Sequence, residues 1–278
     1  MKKLSKLGLV LVLGLMMLLT ACGTSETGST DSGNSGDSGA SDEKKKLRIV
    51  TDAAYAPFES LEGDKVVGFD VDFIGAVLEE AGYEVVAPEH VGWDPLFIEI
   101  ESEEADLAIS AITINSDRQQ TYDFSVPYFL STNKILIPKD SDIKSGADLK
   151  GKKVAVQNGT TGQATAEAIL GTNSTDIKKF ENNNLAIQEL LAGGADAVIA
   201  DNTVIEEYAK NNPDQNLVVI ADDSFEQEFY GVMFPKGSEL KAEFDEAINK
   251  VFDSGKYEEI YEEWFGVAPD VENLKAQQ

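Results

Sequence analysis

Arg118 and Asp201 are the two side chains in this sequence whose chemistry is hardest to read as packing. Arginine occurs only at Arg48 and Arg118, in a chain that elsewhere uses lysine for its cations. A planar guanidinium can make two parallel hydrogen bonds to a carboxylate, so Arg118 suits an anion clamp; the bland alternative is a surface salt bridge in an acidic chain. Asp201 follows an apolar run at 197–200, and the carboxyl ends of strands are where open α/β sheets hold ligands. An aspartate there can hold a cation, or it can cap the helix read from Thr203. Between the two lies Gly159-Thr160-Thr161-Gly162. Here a strand gives way to a helix, and free backbone N–H groups meet the positive end of the helix dipole, a setting that suits a carboxylate. Thr161 as an ordinary N-cap fits the same four residues.

Composition excludes much other chemistry. Lysine plus arginine number 23 against 50 aspartates plus glutamates, a formal charge of −27, so the basic patch that a nucleic acid requires is missing and no nucleic-acid partner is expected. Cys22 and His90 are the only cysteine and the only histidine; no internal disulfide, Cys/His zinc site or local Cys-His pair can be built, and no cofactor is expected. Asp70 and Asp72 resemble a metal or glycosidase pair in spacing, but a helix starting at Asp70 explains them as cap and first-turn acids stabilised by the dipole. His90 reads as a loop residue without a metal partner.

These residues must be positioned by a globular body. With 278 residues, 42% hydrophobic and 26% charged, the chain can hold one large domain or two of roughly 100 residues or more. Residues 47–51 read as a strand. Residues 70–82 read as a helix with Ile74, Val77, Leu78 and Ala81 on one face and Gly82 as its stop. A strand at 84–87, a helix at 94–101 and a strand at 107–109 continue the βαβ rhythm of a mostly parallel sheet. After 133–138 the rhythm restarts: strands at 153–157, 177–180, 197–200 and 217–220, with helices at 161–170, 185–192 and 203–210 between them. An extended run at 229–234 and a helical stretch at 239–265, broken at Ser254-Gly255, leave too few strands for a third body. The economical arrangement returns them to the first lobe, so two chain crossings link the lobes as a hinge.

The N-terminus reads as an address. Lys2, Lys3 and Lys6 precede thirteen almost wholly apolar residues at 7–19; as a helix they span about 20 Å, against about 30 Å for a bilayer core. A cleaved secretory signal is therefore expected at 1–21. Leu19-Thr20-Ala21-Cys22 resembles the lipobox of bacterial lipoproteins, which implies lipid on Cys22 and an outward-facing anchor on the cell membrane of a bacterium. Residues 22–46 are small and polar and read as that lipidated cysteine followed by a flexible Gly/Ser tether.

Five motifs in order resemble the periplasmic-binding-protein superfamily, and within it the polar amino-acid receptors of ABC importers (extracellular solute-binding proteins, family 3). They are Thr51-Asp52-Ala53-Ala54-Tyr55-Ala56-Pro57-Phe58-Glu59; Gly68-Phe69-Asp70-Val71-Asp72; the stretch from Asp106-Leu107-Ala108 through Thr113 to Arg118; Gly159-Thr160-Thr161; and Ala195-Asp196-Ala197 running to Asp201. Gly92-Trp93-Asp94-Pro95-Leu96-Phe97 and the stretch from Gly255-Lys256-Tyr257 to Gly266 look most like members that bind arginine, lysine and histidine. The resemblance implies an α/β, two-lobed type II periplasmic-binding fold, with lobe 1 at 47–130 plus 230–268, lobe 2 at 131–229, a tail at 269–278 and a two-strand hinge.

It also implies a site. Arg118, with Thr160 and Thr161 on the opposite lobe, would hold a ligand carboxylate. Asp201, with Ser110, Ala111 and Thr113 across the cleft, would hold an ammonium. Asp52, Tyr55, Glu59 and Trp93, tuned by Gln157, would form a pocket for a cationic side chain; two aromatics and two acids near strand ends could equally be core and surface. The expected function is capture of a polar, basic L-amino acid by a monomer that closes on it and passes it to ABC permease subunits, with no bond made or broken. Glutamine or another polar amino acid is the alternative ligand. A dehydratase of the cyclohexadienyl type on the same scaffold is the enzymatic alternative, and the paired Arg118 and Asp201 speak against it. A sensor ectodomain would require a second membrane segment and a cytoplasmic module, and neither is read in the sequence.

Overall fold

The computed structural model describes residues 44–278; the signal expected at 1–21, Cys22 and the tether up to residue 43 lie outside the described residues. Strand β1 (Ile49–Thr51) is buried throughout. Three short strands follow that hydropathy alone does not predict, β2 (Ala54–Tyr55), β3 (Glu59–Glu62) and β4 (Lys65–Val67), paired antiparallel in a small sheet of their own. Helix α1 (Phe69–Ala81) buries Phe73, Ile74, Val77 and Leu78 and stops at Gly82, whose φ of 82° is the left-handed cap that glycine supplies most cheaply.

The strand expected at 84–87 does not form. Val85 is 57% exposed, and the edge beside β1 is taken two residues later by β5 (Glu89–His90), with Val50 opposite Glu89 and the Val91 N–H donating to the Thr51 carbonyl. A β-branched run makes a strand only where a neighbour is in register to pair with it. His90 therefore lies in a strand, exposed, rather than in a loop. Helix α2 (Trp93–Glu101) crosses to β6 (Leu107–Ala108), and the one-turn α3 (Arg118–Thr121) leads into β7 (Tyr122–Phe124).

Strand β8 (Phe129–Pro138) carries the chain into the second sheet. There β9 (Val154–Gln157), α4 (Thr161–Leu170), β10 (Ile177–Phe180), α5 (Asn183–Leu191), β11 (Ala197–Asp201), α6 (Asn202–Asn211) and β12 (Leu217–Ile220) alternate much as the periodicity predicts. β10, β9 and β11 are parallel, β8 runs antiparallel to β11, and β12, antiparallel to β8 on its other side, runs in the same sense as the first three. The return strand β13 (Gln227–Tyr230) pairs with the first residues of β8, so two antiparallel strands join the sheets, as a hinge requires. β14 (Met233–Pro235) then inserts between β6 and β7, which makes the first sheet mixed, in the order β5-β1-β6-β14-β7.

Helices α7 (Leu240–Asp253) and α8 (Lys256–Phe265) break at Ser254-Gly255 as expected and pack with α1. Residues expected to be a tail contain α9 (Val271–Lys275), capped by Asp270 and held by the buried Leu274. At the root of the hinge, Phe58 meets Phe129 edge-on at 4.8 Å and Phe129 stacks on Tyr230 at 5.4 Å. Each such aromatic pair adds about 1 kcal/mol beyond its burial.

Candidate functional site

Two parallel strands from each sheet point their carboxyl ends at one narrow cavity, the place where open α/β sheets hold ligands. β1 delivers Asp52, β6 delivers Ser110 and Ala111, β9 delivers Gln157 with the Gly159–Thr161 turn, and β11 ends in Asp201. The cavity is lined by Tyr55, Trp93, Ser110, Ala111, Thr113 and Arg118 from one side and by Gln157, Thr160, Thr161 and Asp201 from the other. Both alanines beside it on the first-sheet side, Ala53 and Ala111, adopt left-handed backbone with φ of 52° and 47°. Strain of that kind persists only where the surroundings enforce it.

Arg118 makes no salt bridge among the described residues. Its Nη1 donates to the Thr113 carbonyl at 2.8 Å and its Nη2 reaches the Gly159 carbonyl at 3.3 Å on the facing lobe. Its guanidinium lies 5.4 Å from the ring centres of both Trp93 and Phe97. Burial lowers its proton affinity, and Glu228 and Asp201 work against that shift. Trp93 thus lines the cavity but turns a face to the protein's own cation. Gly159 permits the close approach of the lobes there: a Cβ on it would stand 3.3 Å from Trp93 Nε1.

Asp201 occupies the N-cap position of α6, yet its side chain caps nothing. Instead its Oδ2 accepts from the Tyr55 hydroxyl at 2.7 Å and the Tyr230 hydroxyl at 2.5 Å. Burial raises its pKa, while the two tyrosines and Arg118 hold it down. The helix cap at the other lobe strand is Thr160, whose Oγ1 accepts from Gln163 N, so Thr161 is not the cap that its sequence also allowed. The Thr161 hydroxyl instead donates to a carboxylate on the return strand, Glu228 Oε2.

Two expected pocket residues stand behind the cavity instead of lining it. Asp52 is 5% exposed and accepts from Gln157 Nε2 at 3.2 Å across the lobes; burial raises its pKa. Glu59 is fully buried, and its Oε1 accepts from the Ser110 hydroxyl at 2.6 Å. A glutamate two residues after Pro57 points inward because β3 begins with its buried side toward α1. Asp70 is no helix cap either: the N-cap is Gly68, and Asp70 Oδ2 accepts from Ala111 N at 2.8 Å. Among the described residues no cluster of His, Cys, Asp and Glu could hold a metal ion.

The site also contains residues that sequence reasoning missed. Glu228, on the hinge strand β13, accepts from Thr113 Oγ1 and Thr161 Oγ1 at 2.8 Å each and from Asn133 Nδ2 at 2.6 Å, and so bridges both lobes. Its signal lay in period-two alternation, since Glu228 and Tyr230 share one face of an extended run. Burial, reinforced by the Asp201 charge, pushes its pKa up to about 7. An acid raised in this way binds more protons folded than unfolded between its ordinary 4.5 and about 7, so stability falls as pH climbs through that window. In Glu228→Gln the decline in denaturation free energy across that window is expected to be shallower by roughly 1–2 kcal/mol. Parallel curves for parent and variant would refute the assignment.

Comparison with known proteins agrees with this architecture. The family model described as bacterial extracellular solute-binding proteins, family 3, matches residues 47–267. The chain belongs to that family. A probable histidine-binding protein of Neisseria gonorrhoeae is 38% identical over 81% of this chain and 85% of its own length. The arginine-binding extracellular protein ArtP of Bacillus subtilis is 34% identical over 89% of this chain and 92% of its own. Among solved structures, the arginine-, lysine-, histidine-binding protein ArtJ of Geobacillus stearothermophilus is 52% identical with a TM-score of 0.81, covering 83% of this chain and all of its own. The two-lobed type II periplasmic-binding fold is thereby established, and the family places the folded part outside the cytoplasm.

Proposed function

We propose that the chain is the receptor of an ABC amino-acid importer and captures a basic L-amino acid, arginine first and then lysine or histidine. The observation that carries this reading is the charge balance of the cleft. One guanidinium, Arg118, faces the carboxyls of Asp201 and Glu228, with Asp52 behind Gln157. A zwitterion with a cationic side chain brings the positive charge such a cleft lacks, whereas an acidic ligand adds to the excess. Trp93 Nε1 and Gln157 Oε1, both buried without a partner, favour a polar ligand.

Arg118 and the start of α4 would take the α-carboxylate, one from each lobe, and Asp201 the α-ammonium. Contacts to both lobes stabilise the closed arrangement over the open one, and permease subunits that read the closed form would receive the ligand. Relatives named as arginine- and histidine-binding proteins support transport over catalysis. The lipobox-like Leu19-Thr20-Ala21-Cys22 supports a lipid anchor on Cys22 at the membrane's outer face.

Titration calorimetry with the twenty amino acids tests the reading. Arginine is expected to bind at least about 30-fold more tightly than citrulline, its neutral isostere, a difference of about 2 kcal/mol. Equal affinity for the two would remove the charge argument, and no heat from arginine, lysine, histidine or glutamine would remove the ligand class.

A further inference from the structure

Glu59 and Asp70 are both fully buried in the first lobe, with no exposed surface. Their meeting is arranged by Gly68. A Cβ there would sit 2.0 Å from the Phe58 carbonyl oxygen and 2.8 Å from Glu59 Cα. Without one, the start of α1 seats directly on residues 57–59, with Phe69 N and Asp70 N donating to the Pro57 and Phe58 carbonyls at 3.0 Å each.

Each carboxyl uses one oxygen on the segment that lines the ligand cavity. Glu59 Oε1 accepts from Ser110 Oγ, which itself accepts from Asp52 N at 3.1 Å. Asp70 Oδ2 accepts from Ala111 N and, at 3.0 Å, from the Tyr128 hydroxyl. The other oxygens, Glu59 Oε2 and Asp70 Oδ1, are buried and receive no donor, and the two carboxyls are brought together by their bonds to the adjacent residues Ser110 and Ala111. Neither has a lysine, arginine or histidine partner among the described residues. Two ionised carboxylates in contact in a dry interior repel strongly, and a single proton between the orphan oxygens relieves that repulsion and satisfies both atoms.

We propose that Glu59 and Asp70 share one proton through their otherwise unpartnered oxygens and act as a positioning pair that holds Ser110 and the left-handed Ala111 in place at the ligand cavity. The groups facing the pair are Asp52 after β1, Tyr55 on β2, Tyr128 just before β8 and Tyr257 on α8. All are acids or phenols, so none supplies a countercharge. Removing the shared proton at alkaline pH leaves two adjacent negative charges under Ser110–Ala111, and ligand affinity falls with the loss of their alignment.

The role in ligand capture rests on the receptor function proposed above; the shared proton does not. Infrared spectra at neutral pH are expected to show the carbonyl stretch of an un-ionised buried carboxyl that is lost in both E59Q and D70N, since an amide N–H replaces the bridging proton in each. A band that is missing from the parent, or that persists unchanged in both variants, overturns proton sharing whether or not any amino acid binds. Calorimetry with L-arginine is expected to place E59Q within about threefold of the parent and E59A at least about tenfold weaker. On the alkaline side E59Q is expected to keep the titrations of the ligand and of Glu228 and to lack an additional loss that the parent shows. E59Q as weak as E59A, or alkaline profiles identical in E59Q and parent, overturns the positioning role.

Discussion

Arg118→Ala is expected to weaken L-arginine capture by at least about 100-fold, or about 3 kcal/mol, with the fold intact. No other guanidinium can substitute, because Arg48 is engaged at the far edge of the first sheet by Glu89 and Glu99. Arg118 is held from several sides, by the Thr113 and Gly159 carbonyls and by two aromatic rings, so its planar fork is preorganised before a ligand arrives. Removing it also leaves Asp201 and Glu228 without their countercharge. Arg118→Lys is expected to recover only part of the loss, since an ammonium is a point charge and cannot make the two parallel bonds. Calorimetry with L-arginine, alongside circular dichroism to verify folding, measures both variants; parental affinity in Arg118→Ala would end the clamp assignment.

The second large effect concerns stability. Gly68→Ala is expected to cost at least about 3 kcal/mol, because the new Cβ meets backbone that has no side-chain freedom to yield. The collision is with the Phe58 carbonyl oxygen at 2.0 Å, at a φ of 148° that L-residues rarely adopt. Gly63→Ala separates the two causes. Gly63 has φ 64° but nothing within 4 Å of the built Cβ, so only backbone strain remains there, about 1 kcal/mol. Urea unfolding of both variants gives the comparison, and equal costs would show that the collision is relieved by a small shift of α1.

Much of the fold was legible because its signals are local. α4, β10 and β12 begin and end where the periodicity places them, and the break between α7 and α8 falls at Ser254-Gly255. These boundaries depend on glycine conformation and hydrophobic spacing within a few residues. The strand predicted at 84–87 failed for the complementary reason, since pairing with β1 decided which residues became the edge. Asp201 and Thr161 failed as caps in the same way. Each was correctly placed at a helix start, and only partners more than sixty residues away in sequence, Tyr55 for Asp201 and Glu228 for Thr161, determined what its side chain does.

The amino-acid order by itself determined the two-lobed alternation, the acidic balance, the scarcity of arginine that singles out Arg118, and the turn at 159–162 that begins a helix at a strand end. Tertiary structure alone decided that Glu59 lies behind the cavity, that Glu228 ties Thr113 to Thr161 from the hinge, and that Glu59 and Asp70 are buried under the neighbouring residues Ser110 and Ala111. A side chain's direction at a strand end follows from the register of the sheet around it, and that register is set by strands far apart along the chain.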